Sequence, residues 1–140
     1  MHRPFPSPPF RITKSAYGAM IAHCLREKPI EACGVLSGTD EWALTCWPLP
    51  NRLQSPNAFE IDPADLARCL AHIGAKGERL CAVYHSHPTA RAVPSREDLR
   101  HAPHDLVYLI VSLRTSLPVV RAYRLIDGKA WPRALVVVDG

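Results

Sequence analysis

The chain has 140 residues, 47% of them hydrophobic and 21% charged, with a formal net charge of +4. This composition supports a core and excludes a disordered chain; the basic residues are too scattered for a nucleic-acid-binding stripe. No apolar run approaches the roughly 20 residues that span a bilayer, and five cysteines without a CxxC pair argue against a disulfide framework and for a reducing, cytoplasmic setting.

Residues 1–9 read as a flexible proline-rich arm, because Pro4, Pro6, Pro8 and Pro9 withhold backbone donors and helical freedom. The arm has no apolar segment of the kind a signal peptide needs, and residues 10–140 read as one domain. From Ser15 to Lys28, the residues Tyr17, Met20, Ile21, Cys24 and Leu25 recur at helical spacing and define one apolar face, and Pro29 ends that helix. "EACGVLSG" and "WALTCWPL" read as strands joined by a turn at Gly38, Thr39 and Asp40, with a third short strand at "AFEI". Asp62 caps a second helix, Pro63 takes its first position and Asp65 closes a capping arrangement. Leu66, Leu70 and Ile73 supply its buried stripe until Gly74 and Gly77 release the chain. "RLCAVYH" is a strand and "SREDLRHA" a short helix. "DLVYLIVSL" is nearly all apolar, as a strand covered on both faces would be. "VVRAYRLI" and "ALVVV" follow as further strands, separated by Asp127 and Gly128. The fold class is α/β: a single mixed β-sheet flanked by helices. Cys24 and Cys69 fall within the helix patterns as small buried groups.

His85 and His87 follow a strand, and residues two apart on an extended chain point to the same side. Two imidazoles so placed can grip one zinc ion. Asp98, on the next helix, would complete a set of three ligands that leaves a fourth place for water. Ser95 and Asp98 also read as a capping box, a competing use of the same carboxylate. Pro88 and Pro94 stiffen the connection between them. Hydrolysis also needs a proton acceptor. The HExxH motif is absent, so the acid comes from elsewhere, with Glu27, Glu31, Glu60 and Glu97 all open. Glu31 is favoured by its place at a helix-to-strand junction, beside the tightly turning "EACG".

Taken together, "HSHPTARAVPSRED" (residues 85–98) and the upstream "EACGVLSG" resemble the JAMM, or MPN+ (Mov34/PAD-1-like), family of zinc metallopeptidases. The resemblance implies an MPN/JAMM-like domain in which His85, His87 and Asp98 hold Zn2+. It makes Glu31 the general acid/base and Ser95 the hydroxyl that steadies the tetrahedral intermediate, and gives Ser86 no direct chemical role. The short chain is similar to the stand-alone prokaryotic members. That implies hydrolysis of a peptide or isopeptide bond at the C-terminal tail of a ubiquitin-like or sulfur-carrier protein, or of a similar peptide.

The rival reading is a non-catalytic MPN-type scaffold, against which the intact ligand set argues. A base deaminase would show a PCxxC pair, which is absent. A thiol enzyme on Cys33 or Cys81 lacks a histidine and acid that spacing can name. Arg91 and Arg96 could attract a tail carboxylate, His72, His101 and His104 could be extra ligands, Trp42, Trp47 and Trp131 could form a recognition surface, and Asn51 could help position a ligand. Each of these is equally at home in an ordinary surface or core. No nucleic-acid or membrane partner is expected, and a homodimer stays open.

Overall fold

The computed structural model describes residues 8–40, 42–101 and 106–140; most of the proline-rich arm, and His104, lie outside them. In chain order the elements are β1 (Phe10–Thr13), α1 (Lys14–Glu27), β2 (Cys33–Thr39), β3 (Trp42–Leu49), α2 (Pro63–Ala75), β4 (Arg79–His87), α3 (Arg96–His101), β5 (Val107–Ser112), β6 (Val119–Ile126), β7 (Lys129–Arg133) and β8 (Leu135–Val138). Among the described residues the strands form one eight-stranded mixed sheet in the order β7-β6-β5-β4-β2-β3-β1-β8. β7 and β8 stand at opposite ends of that order, yet only Ala134 separates them in the chain. The sheet therefore curls until its two edges meet at that corner, where the Phe10 N–H donates to the Ala134 carbonyl (2.8 Å).

The curl creates two apolar layers. On one face α1 packs with Phe10, Ile12, Leu36, Tyr84, Leu109 and Val111. On the other, Cys69 and Ile73 of α2 meet Val35, Val83, Tyr108 and Ile110. Every residue of β5 is buried, as its continuous apolar run requires. At Gly34, β2 is closely flanked by its two neighbours, Tyr84 of β4 on one side and the Trp47–Pro48 segment of β3 on the other. A Cβ there would lie 2.5 Å from the Tyr84 ring and hydroxyl and 2.6 Å from the Trp47 carbonyl, so only hydrogen fits.

Several expectations shift. "AFEI" is not a strand, because its backbone is satisfied locally: the Ala58 carbonyl accepts from the Asn51 side chain and the Glu60 N–H donates to it. The buried face of α1 is Ala16, Met20, His23 and Cys24, while Leu25 is 47% exposed. The helix is rotated because His23 turns inward, its Nδ1 lying 2.7 Å from the Tyr84 hydroxyl. On α2 the buried pair is Cys69 and Ile73, with Leu66 half-buried and Leu70 exposed. Asp62 caps α2 as expected, accepting from Ala64 N–H (2.8 Å), but Asp65 pairs with Arg68 instead of closing the cap. Two strands carry no clear sequence pattern. β1 is four residues long and gains its partners from β3 and β8. β7 is made by a two-residue hairpin at Asp127 and Gly128, both with positive φ (52° and 72°), which returns the chain along β6.

Candidate metal centre

β4 alternates across the sheet. Tyr84 belongs to the layer of α1, while Val83 belongs to the opposite layer, so the odd-numbered His85 and His87 lie on the side of α2 and α3. At the end of β4 the two imidazoles converge with Asp98 of α3. The His85 and His87 Nε2 atoms are 3.0 Å apart, and each faces the same carboxylate oxygen, Asp98 Oδ2, at 3.3 and 3.1 Å. All three residues are buried. A tetrahedral cation with bonds of about 2.0–2.1 Å holds its ligand atoms about 3.3 Å apart, so this triangle has the size of one tetrahedral face. Two imidazole nitrogens and one carboxylate oxygen are a donor set that suits zinc.

The surroundings prepare these atoms to act as ligands. His87 Nδ1 lies 2.8 Å from the Arg91 carbonyl; donating its N–H there leaves the Nε2 lone pair facing the centre. That carbonyl is fixed in turn, because the Ser112 hydroxyl donates to the Ala90 carbonyl (2.6 Å) and the Tyr123 hydroxyl to the Ala92 carbonyl (2.5 Å). His85 is wholly buried, and that burial pushes its pKa down and favours the neutral, ligating ring. Its ring stacks on Phe59 (4.7 Å between centroids) and tilts against Tyr108 (5.2 Å). Phe59 and Tyr108 carried no motif; only the fold brings them to the histidine. Burial alone would raise the pKa of Asp98, but its bonds with His85 and His87 outweigh burial and hold the carboxyl well below the usual range.

The capping role of Asp98 coexists with this placement. Ser95 N–H donates to Asp98 Oδ2 (2.8 Å), and Asp98 N–H donates to Ser95 Oγ (3.0 Å). The oxygen that closes the cap is thus the oxygen that faces the histidines, and the two uses do not compete. Ser95 is exposed, and its Oγ accepts from the backbone while its own proton stays free to donate.

Glu31 comes to the same place from far upstream. It lines a cavity of about 110 Å³ together with His87, Ser95, Pro56, Asn57 and Thr89. Its side chain is buried, and Oε1 has no hydrogen-bond partner. Burial pushes its pKa up to about 7; His87 pulls the other way and Asp98 adds to the rise. The competing glutamates are exposed, and although Glu60 and Glu97 line a neighbouring cavity with Asp98, neither lines the one that Glu31 shares with His87 and Ser95. Glu60 pairs with Arg52 (3.3 Å), Glu97 with Arg100 (3.4 Å), and Glu27 is exposed at the end of α1.

The remaining candidates are not gathered at the centre. Arg91 contributes its carbonyl, while its side chain lines a separate cavity with Arg114 and Arg121; Arg96 is exposed at the start of α3. His72 stacks on Trp47. Trp47 also donates to Ser37 (2.7 Å), and Trp42 lies under Arg11, so neither faces the histidines. No cysteine joins the cluster: among the described residues the grouping of potential metal ligands is His85, His87 and Asp98.

Residues 13–126 match the family model of the prokaryotic homologs of the JAB domain. The CysO-cysteine peptidase of Mycobacterium tuberculosis is 33% identical over 125 residues, covering 86% of each chain. A probable TtuB-protein conjugate cleaving protease of Thermus thermophilus is 38% identical over 109 residues, covering 77% of this chain and 70% of that one. Among solved structures, a protein from Desulfitobacterium hafniense superposes with a TM-score of 0.85 at 30% identity, covering 93% of both chains.

Proposed function

The chain belongs to the prokaryotic homologs of the JAB domain, and from that premise we propose that it is a zinc-dependent peptidase acting at the C-terminal tail of a ubiquitin-like or sulfur-carrier protein. The observation that carries the reading is the triangle of His85 Nε2, His87 Nε2 and Asp98 Oδ2, with edges of 3.0–3.3 Å. Crowding three such acceptor atoms together is costly unless protons or a cation lie between them. The peptidases that share most of this chain's length support the choice of substrate.

His85, His87 and Asp98 would hold the zinc ion. Such an ion supplies Lewis acidity, making water nucleophilic near neutral pH and polarising the scissile carbonyl. Glu31 accepts the proton of the attacking water at Oε1, the buried oxygen that has no other partner. In the metal-free protein burial raises this carboxylate to about 7, and a bound cation beside it would draw that value down. A carboxylate so placed can take a proton from water and return it to the departing amine. Ser95 donates its free hydroxyl proton to the developing oxyanion. One well-placed donor of this kind is worth about 3 kcal/mol. Among the described residues no helix is long and apolar enough to cross a membrane.

The deciding experiment combines metal analysis with cleavage of a peptide fused to the Gly-Gly tail of a ubiquitin-fold carrier. Wild type should bind stoichiometric zinc and cut the fusion; His85→Ala and Asp98→Ala should lose both properties. Glu31→Gln should keep the zinc and lose turnover. Stoichiometric zinc without cleavage of any carrier tail would instead make the protein an MPN-type scaffold.

A further inference from the structure

Glu31 lies in the connection between α1 and β2, in neither helix nor strand. One oxygen of its carboxylate, Oε1, is buried without a hydrogen-bond partner, so no bond to that oxygen fixes where it points. The hydrogen bonds that hold this residue fall on its backbone instead. All four polar groups of the Glu31–Ala32 dipeptide are bound. Glu31 N–H donates to the Ser55 carbonyl (2.9 Å), and the Glu31 carbonyl accepts from Asn51 Nδ2 (2.9 Å). Ala32 N–H donates to Ser86 Oγ (2.8 Å), and the Ala32 carbonyl accepts from Ser86 N–H (2.9 Å).

Two side chains, Asn51 and Ser86, therefore grip the dipeptide from opposite sides. Ser86 sits between His85 and His87 on β4, facing away from them, so it ties the acid to the strand that bears the two imidazoles. Asn51 is buried and uses its amide fully. Nδ2 donates to the Glu31 and Ala58 carbonyls, and Oδ1 accepts from the Leu53 and Glu60 N–H groups (2.9–3.2 Å). It thus folds the segment that supplies Pro56 and Asn57 to the cavity wall and Phe59 to the His85 ring, and joins that segment to Glu31.

We propose that Asn51 and Ser86 are positioning residues, which fix the Glu31 carboxylate by holding its backbone and so leave its oxygen free for the proton. The role rests on the reading of Glu31 as the general acid/base. Fixing the acid through its own carboxylate would occupy the lone pairs that the reaction needs and would drag its pKa down. Holding the backbone avoids both effects and places the oxygen within reach of the water, where a displacement of about 1 Å can cost about 100-fold in rate.

Asn51→Asp keeps the acceptor for Leu53 and Glu60 but turns both donations, to the Glu31 and Ala58 carbonyls, into oxygen–oxygen contacts. Ser86→Ala removes the acceptor for Ala32 N–H, and Ser86→Thr restores a hydroxyl. Zinc-loaded wild type, Glu31→Gln and these three variants are compared on the Gly-Gly fusion for kcat, KM, zinc content and thermal midpoint. Asn51→Asp and Ser86→Ala should lower kcat by about 10- to 100-fold, with KM within about twofold and zinc retained, and Ser86→Thr should recover kcat. The proposal is overturned by wild-type kcat in Asn51→Asp and Ser86→Ala, or by a loss that merely tracks lost zinc or lost folded protein. Should Asn51→Asp not fold, the Ser86→Ala and Ser86→Thr pair decides. Full turnover by Glu31→Gln would remove the acid/base reading beneath it, whereas an inactive Glu31→Gln beside full-rate Asn51→Asp and Ser86→Ala would remove only this inference.

Discussion

Replacing Glu31 by Gln should make the metal-free protein more stable, by an amount that grows as the pH rises from 4.5 to about 7 and then levels off. The side chain is 5% exposed, and burial raises its pKa from 4.5 to about 7. Each tenfold change in that proton equilibrium corresponds to about 1.4 kcal/mol, so keeping the ionised form in the fold costs about 3 kcal/mol. The direction follows from which state releases its proton first. Below pH 4.5 the carboxyl is protonated in both the folded and unfolded chain, and it imposes no penalty. As the pH rises from 4.5 to about 7 the unfolded chain ionises first, which draws the equilibrium toward unfolding. Above about 7 both states are ionised and the full penalty is in place. Glutamine carries no charge at any pH. Urea unfolding of metal-free wild type and Glu31→Gln should therefore give a stability difference that grows by about 3 kcal/mol between about pH 4 and pH 8, in favour of the variant. A difference that stays constant to within about 1 kcal/mol over that range would mean the carboxylate is solvated or paired in the fold, and its suitability as a proton carrier would go with it.

Gly34→Ala should cost about 3 kcal/mol or more of stability, because the new Cβ would meet the Tyr84 ring and hydroxyl at 2.5 Å and the Trp47 carbonyl at 2.6 Å, one of them rigid backbone; a denaturant midpoint that implies a loss under about 1 kcal/mol would contradict this packing. Iodoacetamide at neutral pH should leave cleavage of the Gly-Gly fusion unchanged: the five thiols are free, but all are buried or half-buried, and burial pushes Cys24, Cys33 and Cys81 up to about 12. Inactivation in step with alkylation of Cys33 or Cys81 would bring back a thiol mechanism.

The residues that converge on the centre were legible because each belongs to a short, local pattern. His85 and His87 are two apart at a strand end, and Ser95 and Asp98 are three apart at a helix start; in both cases regular backbone geometry fixes the relation before any tertiary contact forms. The fully buried β5 and the capped start of α2 were legible for the same reason. The chain could not say by itself which glutamate faces the histidines, that Phe59 covers His85, or that α1 turns His23 inward rather than Leu25. β1 was equally hidden, since its partners β3 and β8 come from distant segments and from the closing of the curled sheet. Those outcomes depend on contacts between residues tens of positions apart, such as Asn51 with Glu31 and Ser86 with Ala32. Spacing along a strand or helix is set by backbone geometry, whereas a contact across the fold exists only after the whole sheet has paired, and there the tertiary structure decided.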